Sequence, residues 1–466
     1  MNHIRTKLWL LSGTLSFIGL FQWVYISWLH PTFDYIGFHY ETPPLSCVIL
    51  SWLLAALPSL WLAFRLERPS QLILWILYLA VFIPSTFVPL FIGLQSYQDV
   101  VILMLTLFGG FVVMSLGTAL PILKLRYFKI SSTVLWTGLW VVIFGLFCWV
   151  VTVFAGNIHL VSFHEVYEKI RFSGAEVASG TGVGYAVMWL AGAFNPFLMT
   201  WGLMYKRPNY FIIGALGQIL LYCTGGLKSI LLSVIILPAL WMILRVDGAK
   251  FALRLTWGAA ALLLVTNCLN QLAGEIGRTQ MMFSAIVLMR TFGVPGLATG
   301  QYSAFFSDHP VTHLSHVSGI NAFVDSPYQG SIGKEVGFFY SGNVDYNANA
   351  HLWSMDGLAG FGLPGILMIS VLCALVFWIL DSAVSGDDPR FAALATSFAA
   401  YNLSNVSLFT TLLSGGLFFS IALLYLKPRD IEDRTDTLTD EDWFEPNSED
   451  DASDPRAAPH AVVSTQ

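Results

Sequence analysis

The sequence predicts an all-α, polytopic integral membrane protein of about twelve transmembrane helices. Three observations carry that prediction. Mean hydropathy is +0.67 and 56% of residues are hydrophobic. Only 11% are charged, against roughly 25% in a soluble domain. Apolar runs of about 20 residues recur along the chain, each long enough to cross ~30 Å of hydrocarbon.

In order, the runs predict helices at 8–29, 44–64, 71–94, 99–121, 132–155, 183–204, 210–224, 229–244, 255–273, 357–380, 391–407 and 409–426. The first begins with basic residues like a signal peptide. Its apolar run is too long for one, and no small-residue cleavage site precedes His30 and Pro31. The last two are divided at the polar patch Asn402, Ser404, Asn405 and Ser407, because one uninterrupted helix of that length matches a bilayer poorly.

Charge predicts orientation. Lys and Arg collect on the cytoplasmic side of a membrane. With both termini inside, 17 of the 23 basic residues fall on the inner side. Lys169, Arg171, Lys228, Arg278, Arg290 and Lys334 fall outside and require a reason, most simply an anionic substrate. The formal charge of -6 hides a division. Residues 430–466 carry 12 acidic and 2 basic residues, whereas 1–429 is net positive. The 430–466 segment is poor in apolar residues and predicts an acidic, disordered cytoplasmic tail on a membrane domain spanning 1–429.

The five cysteines form no CxxC pair, so neither a disulfide framework nor a zinc site is indicated. Phosphate-loop, GxSxG and HExxH motifs are absent, as is any nucleic-acid footprint. No cofactor is expected.

Two outer segments hold the remaining polarity. In 156–182, Val161, Phe163, Val166, Ile170 and Phe172 mix with Glu165, Glu168, Lys169 and Arg171, which predicts a short interfacial helix. Arg171 is placed to reach a lipid phosphate, or to pair with the glutamates at helical spacing. The second segment, 274–355, holds Arg278, Arg290, Tyr302, Lys334, Asp345 and the histidines His309, His313, His316 and His351. It reads as a large outer loop, and such loops commonly carry binding and chemistry.

Within it, Arg290 precedes Gly293-Val294-Pro295-Gly296, read as a turn that ends a helix facing a cavity. Guanidinium stays charged and binds two phosphate oxygens at once. Tyr302, Phe305 and Phe306 read as an aromatic surface for sugars. Pro310 interrupts the spacing of His309, His313 and His316, so no metal site is expected. Asn347 and Asn349 suit hydroxyl groups. His351, beside them, is the expected general base, since imidazole titrates near neutrality; the outer histidines, Asp308 and Asp345 stay open as alternatives. Lys228, at a helix end, is positioned to neutralise a phosphate.

The run Gly225-Gly226-Leu227-Lys228-Ser229, then Arg290, Pro295, Gly296 and Tyr302, then Asn349-Ala350-His351 followed by Gly357 and Gly360, resembles the Wzy-type oligosaccharide repeat-unit polymerases, or O-antigen polymerases. The Val166–Arg171 segment resembles that family as well, and the likeness covers roughly 160–420. The resemblance implies a GT-C-like glycosyltransferase of the bacterial inner membrane with a large periplasmic loop. Such enzymes join undecaprenyl-pyrophosphate-linked glycans and work with membrane lipid and a chain-length-regulating co-polymerase. It implies Arg290 on the pyrophosphate, His351 at the acceptor hydroxyl, and Arg171, Lys228, Arg278, Tyr302, Asn347 and Asn349 in substrate binding. Two other classes remain: an O-antigen ligase-like transferase and a lipid-linked oligosaccharide flippase. The helix interiors are nearly free of charge, which favours an enzyme at one face over alternating access.

Overall fold

The computed structural model describes residues 3–123, 130–159, 182–245, 250–273 and 277–427. All belong to one compact unit within Met1–Lys427. The expected interfacial helix falls mainly on 160–181 and the acidic tail on 430–466, both outside the described residues.

Every regular element among the described residues is helical, with no strand among them. The helices are α1 (Ile4–Ile36), α2 (Leu45–Trp61), α3 (Pro69–Phe91), α4 (Tyr97–Gly117), α5 (Ser132–Val153), α6 (Val183–Met204), α7 (Pro208–Gly225), α8 (Lys228–Arg245), α9 (Phe251–Leu272) and α10 (Thr279–Asp308). After them come α11 (Ile332–Ser341), a short α12 (353–361), α13 (Leu363–Ala383), α14 (Pro389–Ala395), α15 (Ser397–Leu403), α16 (Leu408–Leu413) and α17 (Leu417–Leu426). Local chemistry starts them. Ser96 and Ser131 accept the backbone N–H of Asp99 and Val134 at the heads of α4 and α5. Prolines stand in the first turns of α3, α7, α13 and α14, where no N–H is needed.

Among the described residues, nine helices are long and apolar enough to cross a membrane. The region expected as two spans, 391–426, is instead four short helices, broken at Thr396, at 404–407 and again before α17.

The helices pack through small residues, as helices in lipid do when backbones approach closely. A Cβ on Gly117 of α4 would lie 2.6 Å from the Cβ of Ala374 on α13, and one on Gly110 would lie 2.7 Å from Ser370 Oγ. Between them the core is aromatic: Phe82 of α3 stacks on Phe111 of α4 at 4.7 Å, and Trp353 meets both edge-on. α12 is thereby held deep in the bundle, and the Trp353 indole donates to Ser370 Oγ at 2.9 Å. Gly362 then turns the chain into α13 with φ 66 and ψ -150, a conformation essentially reserved for glycine.

Hydrogen bonds order the two ends of the bundle. At one, Lys7 Nζ donates to Leu62 O, Arg68 Nη1 to Leu120 O, and Arg254 Nη1 to Ile243 O. We term this the basic end. At the opposite end, Glu41 N donates to Phe91 O and Gln271 Nε2 to Ser27 O.

The largest departure from expectation is α10. Residues 278–308 were expected in an outer loop, with a turn at Gly293–Gly296. They form one continuous helix, right-handed at Gly293 (φ -75, ψ -51). Pro295 is tolerated because it follows a π-helical stretch, Ala285–Gly293. There the bonding register shifts, with Val294 N reaching back to Met289 O, so a missing donor costs little. The glycines serve packing: a Cβ on Gly296 would sit 2.6 Å from Pro84 O of α3. α10 is long enough to cross a membrane, yet both its ends lie at the end of the bundle opposite the basic one. Gln280 and Ser284 bond Asn270 in the last turns of α9, and Gln301 Nε2 donates to Ile36 O at the end of α1. α10 therefore lies across that end of the bundle.

Candidate functional site

Two polar constellations stand on α10. The first surrounds His351, which is fully buried. Its Nε2 lies 3.1 Å from Pro295 O, 2.9 Å from Thr299 Oγ1 and 3.1 Å from Ser354 Oγ. A proline carbonyl only accepts, so Nε2 carries the proton and Nδ1 is the bare nitrogen. Nδ1 has no partner among the described residues. Ser85 of α3 closes the cluster, 2.7 Å from the Thr299 hydroxyl. Burial pushes the imidazole down to about 3, opposed by the Pro295 bond, so the ring is neutral at physiological pH. Placed this way, His351 ties α10 to α12 and α3 and does not border open space.

The second constellation surrounds Arg290. Its side chain is exposed and has no hydrogen bond or ion pair among the described residues. Its charge reaches two phenols brought from far along the chain, Tyr346 of the irregular 342–351 segment and Tyr401 of α15. Burial raises the Tyr346 phenol and Arg290 pulls it back. Tyr401 also lines a narrow, partly open lateral groove between α6, α8 and α15. Ser229, Leu232, Ile236 and Leu237 of α8 form one wall, with Phe398 and Pro196 opposite. α8 runs toward the basic end and α15 away from it. Ser229 and Tyr401 are therefore at the mouth, and Leu237 lies about 12 Å deeper at 1.5 Å per residue. Lys228 precedes Ser229 and sits against Met282 of α10, Nζ to Sδ 3.9 Å. An apolar slot thus opens beneath two cations and two phenols.

The other expected residues divide. Asn347 and Asn349 are exposed and alternate with buried Ala348 and Ala350, in the extended segment that follows Tyr346. Tyr302 is a correction. It is buried, donates to Ala348 O at 2.9 Å, and shapes that segment from behind. Phe305 and Phe306 are buried with it, so the three form no sugar-facing surface; Phe305 instead carries the His309 ring flat at 4.0 Å. Arg278 begins the helix that continues as α10, and its side chain is not among those described. Arg171 lies outside the described residues. Among the described residues no three His, Cys, Asp or Glu side chains are grouped to hold a metal ion.

Sequence reasoning passed over one buried pair. Asp356 is fully buried, with Oδ1 3.3 Å from His316 Nε2 and Oδ2 accepting the Leu408 N–H at 2.5 Å. Burial pushes this carboxyl up, and His316 and Leu408 pull it back. Asp356 is the only charged residue between Asp345 and Asp381, and a lone ionisable group in an apolar stretch is a signal in itself.

Comparison of the chain with protein-family models, with curated proteins and with solved structures finds no match.

Proposed function

We propose that this chain is a membrane-embedded glycosyltransferase that joins oligosaccharide units carried on a lipid pyrophosphate, in the manner of the polymerases its motifs resemble. One observation carries the reading. Arg290, with no ion pair among the described residues, has its charge within reach of Tyr346 and of Tyr401, which lines an apolar groove. A cationic, phenol-lined head above an apolar slot complements an amphiphile with an anionic head and a hydrocarbon tail. Positive charge at the leaving oxygen is what departure of a pyrophosphate requires. The basic end faces the cytoplasm by the positive-inside rule, which sets the groove mouth on the periplasmic side.

In the transfer, an acceptor hydroxyl oxygen attacks the anomeric carbon of the donor sugar. The bond from that carbon to the phosphate oxygen breaks, and the lipid pyrophosphate leaves with the electron pair, held by Arg290 and Lys228. The hydroxyl proton passes to a base. His351, enclosed behind Pro295 and Thr299, has no route to it. We assign the proton to Asp345, an exposed carboxylate adjacent in sequence to Tyr346. Asn347 and Asn349 line the approach.

The test is the cell-surface glycan after deletion of the gene in its native host. A polymerase leaves lipid core bearing one unit. Loss of all attached glycan marks a ligase, and lipid-linked units trapped inside the cell mark a flippase; either result would overturn the proposal.

A further inference from the structure

Asp356 joins three segments that are distant in sequence. It is part of α12; one oxygen meets His316 of the outer loop, and the other takes the Leu408 N–H at the head of α16. The outer segment is held in an unusual backbone. His313 and Leu314 have φ of 48 and 64, a region that non-glycine residues rarely occupy. Thr312 N donates to Ala359 O at 2.7 Å and His313 N to Gly360 O at 3.0 Å, which clamp the turn against α12 and aim His316 inward. On the other side, α16 is joined to α15 by a tight corner, with Val406 N donating to Asn402 O at 2.7 Å and Asn405 Nδ2 to Tyr401 O at 3.2 Å. A change at Leu408 is therefore passed to Tyr401. Burying a carboxylate is costly unless both oxygens are used, and here both are, on partners from different segments.

We propose that Asp356 is the positioning residue of the site. It locks segment 309–317 to the α15–α16 corner and thereby keeps Tyr401, which lines the groove, within reach of the Arg290 charge. Its consequence for substrate rests on the anion-site reading above; its mechanical part does not.

The experiment is hydrogen–deuterium exchange on the full chain in lipid nanodiscs, comparing wild type with His316→Phe. Losing a hydrogen bond to a charged group speeds local opening by about tenfold or more. The expected result is faster exchange at 311–318 and at 404–411 together. Faster exchange confined to 311–318, or no change at either, overturns the proposal. Asp356→Asn is the milder companion should His316→Phe fail to fold. An amide oxygen can accept on one side only, so at least one of the two bonds is lost, and the proposal expects that loss to loosen both coupled segments. Steady-state transfer from a lipid-pyrophosphate-linked oligosaccharide supplies the second readout. Misplacing Tyr401 is expected to raise the donor KM about tenfold, the effect of losing one such bond. A merely structural role lowers the active fraction and leaves KM unmoved, which would also overturn it. If wild type transfers no sugar from such a donor, the transferase reading fails, and the exchange pattern still decides the positioning claim.

Discussion

The pocket around His351 and the mouth around Arg290 share one helix, α10, and are built in opposite ways. His351 is fully buried, and one ring nitrogen faces three oxygens. Arg290 is exposed and has no bonding partner among the described residues. Both are polar residues in an apolar protein. The difference teaches that residue type marks where polarity was kept, whereas packing decides whether it holds the fold or meets a ligand.

Substitutions at four positions sharpen or break that comparison. The largest effect is expected from Asp345→Asn. Removing a general base costs about 10²–10⁴-fold in rate, so transfer to the acceptor should fall by that factor while donor binding persists. Transfer at the wild-type rate would remove Asp345 from the chemistry. Next is Arg290→Ala, expected to lower turnover about 10²–10³-fold, as loss of a charge-stabilising donor does. Arg290→Lys keeps the charge and loses the planar fork, so it should still be impaired. Full activity in Arg290→Ala would break the open half of the comparison.

His351→Gln tests the closed half through stability. The folded imidazole titrates far below its ordinary value, at about 3. The unfolded chain takes up a proton near 6.5, so the native state binds fewer protons between those values. The resulting stability is complete above about pH 6.5 and is lost as pH falls toward 3, by about 1.4 kcal/mol per pH unit for this one group. Thermal unfolding in detergent should therefore depend on pH between 6.5 and 5 more steeply in wild type than in His351→Gln. Equal slopes would mean that the ring is not enclosed. A smaller effect is expected in the groove. Ser233→Trp fills the slot between Ser229 and Leu237 and should raise the KM for a lipid-linked donor several-fold, leaving a water-soluble acceptor unaffected. An unchanged KM would separate the groove from the site.

Much of the fold was legible because hydropathy follows directly from burial in lipid. The expected helix at 183–204 coincides with α6, and those at 71–94, 99–121 and 132–155 match α3, α4 and α5 within a few residues. α10 was misread because Pro295 and three nearby glycines look like turn residues. The π-helical register shift that admits the proline, and the close contacts of Gly293 with Leu29 and Phe38 and of Gly296 with α3, come from the folded chain and not from local sequence. The candidate site was legible only in part. Arg290 stood out as a cation on the wrong side of the charge asymmetry. Tyr346 and Tyr401 did not, since nothing local distinguishes a phenol that meets a distant guanidinium. His351 drew attention for its type, and only its neighbours Pro295, Thr299 and Ser354 show it to be enclosed.

The course of α10 has a consequence for topology experiments. A helix that begins and finishes at the same end of a bundle adds hydrophobic mass without adding a crossing, so the parity of apolar segments ceases to report which side a later residue occupies. A membrane-impermeant thiol reagent should label cysteines placed at Gly277 and at Ser318 from the same compartment, although thirty residues of apolar helix lie between them. An algorithm that counts segments would invert everything after Asp308.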